Sequence, residues 1–63
     1  MLKMAQQKFN SMFDEFTFSK LRGRMLTDAI VENRGLVKWL YERDIILVDD
    51  KIEKQFEKEI GYE

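Results

Sequence analysis

The 63-residue chain has no cysteine, no histidine and no proline, and only three glycines. Without Cys there is no disulfide, and without Cys and His the usual zinc ligands are missing together. The same two absences remove the thiolate and imidazole on which most nucleophilic and general-base mechanisms depend. The lack of Pro and shortage of Gly leave little to forbid long helices. The longest unbroken apolar run is residues 45–48 (Ile-Ile-Leu-Val), far short of the roughly 20 residues of a membrane span. A formal net charge of −1 gives no general pull toward nucleic acid or anionic lipid. The opening MLKMAQQKF lacks the apolar block of a signal peptide, so the expected setting is cytoplasmic, away from the membrane.

What is present points to a folded chain. Hydrophobic residues make up 44% and aromatics 13%, too rich for a solvated tail. A single domain of this length buries only about 60% of the surface its unfolded chain exposes, and such domains commonly need a staple or a partner. With disulfides and zinc excluded, self-association or docking onto another protein is the expected remedy.

Apolar spacing suggests two to three amphipathic helices in an all-α fold. In residues 2–16, Leu2, Ala5, Phe9, Met12, Phe13 and Phe16 recur at three- and four-residue intervals on one helical face. The alternation of Glu15-Phe16-Thr17-Phe18-Ser19 also reads as a short strand, and Thr17 or Ser19 equally as an N-cap. In residues 18–43, Leu21, Met25, Leu26, Ala29, Ile30, Leu36, Val37 and Leu40 share a second face. Its phase persists through residues 33–35, which favours continuity over a helix that stops with Gly35 as its cap. Asn33 then lies either on the apolar seam, where a polar residue sets register, or at a helix end. Asp50 with Glu53 resembles a capping box for a third helix over 50–60, where Ile52, Phe56 and Ile60 form the stripe and Gly61 the stop. The apolar run 45–48 is read as a connector plugging the core. The expected architecture is one small domain, 1–63, a helical hairpin with a short third helix, completed by a second copy or a partner.

No catalytic constellation emerges. The hydroxyls have only carboxylates and Lys as candidate activators, and the adjacent pairs Asp14-Glu15 and Asp49-Asp50 point apart on a helix. Gly23 and Gly35 are isolated and build no phosphate loop. Asp44, Asp49, Asp50 and Glu53 lack the calcium-loop spacing. Catalytic, cofactor and metal sites are therefore all expected to be absent, and no small-molecule substrate is implied.

Two clusters invite a binding function. Phe9, Met12, Phe13, Phe16 and Phe18 combine large aromatics with flexible Met, as an adaptable docking surface does; they equally suit a hairpin core, with Phe13 inside it. Lys20, Arg24, Arg34 and Lys38 form a basic row if residues 18–43 are one helix, with Thr27 and Val31 in the same row. Such a row can track phosphates, steer an acidic protein or simply stay solvated. Residues 18–38 hold five basic and two acidic side chains, whereas residues 49–63 hold six acidic and three basic. The halves can attract each other within one chain or between two.

The stretch Leu40-Tyr41-Glu42-Arg43-Asp44-Ile45-Ile46, followed by an acidic helix start, resembles a helix–connector–helix joint common to unrelated bacterial and phage proteins. It implies a joint and no activity; in composition the chain is similar to small tailed-phage proteins. The leading expectation is a non-enzymatic protein-interaction module that binds, inhibits or scaffolds another protein, itself included. The alternative is a small dimeric nucleic-acid-binding regulator using the basic row. In its ribbon-helix-helix version, residues 15–19 form a paired ribbon.

Overall fold

A computed structural model of the chain describes residues 5–61. Its elements are β1 (Gln7–Phe9), α1 (Leu26–Glu42), β2 (Ile46–Val48) and α2 (Asp50–Ile60). The strands pair in parallel, with Gln7 opposite Ile46, Lys8 opposite Leu47 and Phe9 opposite Val48. The fold is thus mixed α/β, and the all-α expectation is corrected.

The correction falls on the N-terminal third. Residues 5–16 are not helical: they hold β1, a turn and an isolated bridge from Glu15 to Met25. Asn, Ser and Asp compete with helix formation by bonding nearby backbone, and here they prevail. The Asp14 carboxylate accepts the N–H groups of Asn10 (2.8 Å) and Ser11 (3.2 Å). The Ser11 hydroxyl accepts the Phe13 N–H at 3.1 Å, and the Asp14 N–H closes the turn on the Ser11 carbonyl. Phe9, Met12 and Phe16 still converge, because a strand and a tight turn bring them to one side as well as a helix would. The Phe9 and Phe16 rings lie 4.7 Å apart.

Residues 18–25, expected to open the second helix, form a turn instead. Gly23 stands at φ 86° and Ser19 at φ 66°, left-handed conformations that an α-helix does not admit. The segment 14–16 folds back on 24–26: the Phe16 N–H donates to the Arg24 carbonyl, and the Gly23 N–H to the Phe16 carbonyl. This is a pairing within one chain rather than the two-chain ribbon considered above. It also caps α1. Met25, the N-cap, offers no side-chain bond, and the Leu26 and Thr27 N–H groups donate to the carbonyls of Asp14 and Met12 instead. Two of the four orphan donors of the helix are satisfied by the loop.

Within α1, Asn33 leaves helical geometry at φ −152°, ψ 65°. Its Oδ1 accepts the Leu36 N–H at 3.3 Å, so Asn33 acts as an N-cap for the second half of a kinked helix. Both readings of this stretch are thereby revised: the element continues, but it bends two residues before Gly35. At the far end Asp44 takes the left-handed conformation (φ 59°). The Ile45 N–H returns to the Leu40 carbonyl and the Asp44 N–H to that of Tyr41. That is a Schellman close with Asp in the position glycine prefers.

The run expected to be a connector is strand β2, whose Ile46 and Val48 face the core while Leu47 faces out. The third helix has the expected span, but its cap is Asp49 rather than Asp50: the Asp49 carboxylate accepts the Lys51 N–H at 3.0 Å. Gly61 ends it at φ 88°, as expected.

Strands, loop and helices close around one hydrophobic cluster with no buried polar or charged residue among those described. Phe9, Phe16, Leu26, Val37, Ile46 and Phe56 are among its most enclosed members, and Tyr41 packs edge-on against Phe56 at 4.8 Å. The expected shortage of core is thus met in part within the chain, by making the loop 10–25 part of it.

Candidate functional site

The aromatic cluster is divided by the fold. Phe9, Met12 and Phe16 are buried in the chain's own core, and Phe18 is half-buried with its ring 5.9 Å from that of Phe16. Phe13 goes the other way. Expected in the core, it is 69% exposed at the tip of the turn held by Ser11 and Asp14. The turn dictates this: with Phe9, Met12 and Phe16 on the inner side, the residue after Met12 points outward.

A second set of bonds steadies the loop behind that tip. The Gln7 carboxamide donates from Nε2 to the Glu15 carbonyl at 2.7 Å. Its Oε1 accepts the Thr17 N–H at 3.0 Å and the Thr17 hydroxyl at 3.2 Å. A side-chain amide thus straddles Phe16 as a neighbouring parallel strand would, bonding the carbonyl before it and the N–H after it. Phe13 is presented by a loop tied to β1 and α1, rather than by a loose segment.

The basic row does not lie on one helix. Lys20 sits in the turn before Gly23, and Arg24 precedes α1 and pairs with Glu32 at 3.5 Å. Arg34 and Lys38 follow the kink at Asn33, with Arg34 exposed and Lys38 half-buried. A straight track for a phosphate backbone is therefore not formed by these four side chains.

Val31, placed by the sequence in the basic row but not singled out as a site residue, is the most exposed large hydrophobic among the described residues at 83%. The signal was its position, the one apolar residue in a polar and mostly basic row. Val31, Ile30, Arg34 and Glu59 line an open pocket of about 440 Å³ between α1 and α2. Among the described residues neither Arg34 nor Glu59 has an ion-pair partner; Glu59 accepts a hydrogen bond from Gln55 Nε2 at 3.0 Å. Trp39 is also part-exposed, with the Arg43 guanidinium stacked 5.0 Å from its ring centre.

Among the described residues no three carboxylates come together as a metal site, and no helix is long and apolar enough to cross a membrane. The Asp49 carboxyl is held below its ordinary value. The chief cause is donation by the Lys51 N–H, against some desolvation, with help from the ammonium groups of Lys51 and Lys8. Lys8 Nζ lies 3.6 Å from Asp49 Oδ1, so this is a cap reinforced by an ion pair.

Comparison of the chain with protein-family models, with curated proteins and with solved structures returns no match.

Proposed function

We propose that this chain is a non-enzymatic protein-binding module that anchors to its partner through Phe13. The observation that carries the reading is a phenylalanine 69% exposed on a turn locked by side-chain hydrogen bonds. Solvent gives no reason to rigidify an exposed aromatic. A binding interface does, because an anchor held in its bound conformation loses less entropy on association. The matching partner is a protein with an apolar pocket the size of a phenyl ring. The chain's lack of His and Cys supports binding over catalysis, and its lack of Cys suits an intracellular setting. Nucleic-acid recognition has less support, because the four basic side chains are split between a turn and the far side of a kink.

The test pairs stability with binding. Phe13→Ala should keep the melting transition and lose the partner that the wild-type chain captures from its native host. A variant that retains the partner, or that melts well below the wild type, overturns the reading.

A further inference from the structure

The groove between α1 and α2 has an order of groups that a second copy of the same chain would match. Its α1 side contributes Arg34 with the aliphatic Ile30 and Val31, and its α2 side contributes Glu59. The cation and the anion come from different helices and do not pair with each other. Val31, at 83% exposed, stands in water although the rest of its helix has buried most of its aliphatic side chains. A groove with positive charge on one side and negative on the other is complementary to itself after a half-turn.

We infer that this face is a two-fold homodimer interface. A two-fold axis lying in the interface and running along the groove sets α1 of each copy against α2 of the other. Each Arg34 then meets Glu59 of the second copy, and the two Val31 side chains come together near the axis. Both ion pairs form at once, as an isologous contact requires. An unrelated partner would have to supply an acid, an apolar group and a base in this order; a second copy has them by symmetry. Only four residues line the groove, so a weak, readily reversible dimer is expected. It uses none of the turn that presents Phe13, and it stands or falls independently of the binding reading above.

Charge reversal tests it, read by sedimentation velocity across the micromolar range with thermal melts as a check on folding. The wild-type chain should sediment as a monomer–dimer equilibrium. Arg34→Glu sets two like-charge pairs in each dimer, and so does Glu59→Arg; either should weaken association by about a hundredfold or more, because facing like charges are strongly unfavourable. The double reversal restores opposite charges at both contacts and should recover the dimer. Val31→Asp should abolish it while the melt persists. A wild-type chain that is monomeric throughout, a dimer indifferent to the single reversals, or a double variant that stays monomeric would each overturn the inference. None of these results bears on whether Phe13→Ala releases a partner.

Discussion

The loop of residues 10–25 and the helix α2 carry similarly spaced apolar residues and fold in opposite ways. In α2, Ile52, Phe56 and Ile60 recur every fourth residue between an acidic cap and a glycine stop, and a helix forms. In the loop region, Phe9, Met12 and Phe16 recur at three and four, and no helix forms. The difference lies in the residues between. Those of α2 are Lys, Glu and Gln, good helix formers with no local bond to prefer. Those of the loop include Asn10, Ser11 and Asp14, and the short side chains of Ser11 and Asp14 bond the backbone at once. Apolar spacing says which residues meet, while the polar residues between them decide the backbone path by which they do.

The sharpest way to break the comparison is Phe16→Ala. Phe16 is 1% exposed and touches both Phe9 and Phe18, so its loss should cost about 3–5 kcal/mol in chemical denaturation. For a domain this small that is much of its total stability. Phe13→Ala, three positions away, should move the same measurement by less than about 0.5 kcal/mol. Equal losses at the two sites would mean that Phe13 is core, as on a helix.

A smaller effect is expected from Gln7→Ala, which removes the carboxamide bridging Glu15 and Thr17. We expect a loss of about 1–2 kcal/mol, with faster hydrogen exchange at the Thr17 amide. An unchanged exchange rate there would show that the loop holds its shape without the clamp.

The smallest effect concerns the cap of α2. The Asp49 carboxyl titrates below its ordinary value in the folded chain, so its contribution is fully present above the unfolded value and is lost as pH falls through the folded one. Melting temperature should therefore decline across the acid range by an increment that Asp49→Asn removes, since Asn caps without titrating. An acid profile that is the same in both chains would rule out this source.

The candidate site was only half legible. Phe13 belonged to the aromatic cluster, but nothing local marked it as the member facing water. That assignment depends on Phe9 pairing with β2 and on Met12 lending its carbonyl to the start of α1. Val31 was legible as a member of the basic row, and its apolar side chain there could have marked it as a binding residue. That it lines one groove with Glu59 required the packing of α1 on α2.

The sequence by itself determined the span of α2, its glycine stop, the C-terminal part of α1 and the lack of any His or Cys side chain. Each rests on residues within one or two turns of each other, or on composition alone. Tertiary structure decided that residues 7–9 are a strand, that residues 46–48 are its parallel partner, and that α1 begins at Leu26 under the carbonyls of Met12 and Asp14. These depend on backbone groups brought together from distant parts of the chain. A three-residue strand has too few side chains to announce itself, and a helix start capped by a remote carbonyl leaves no capping residue to read.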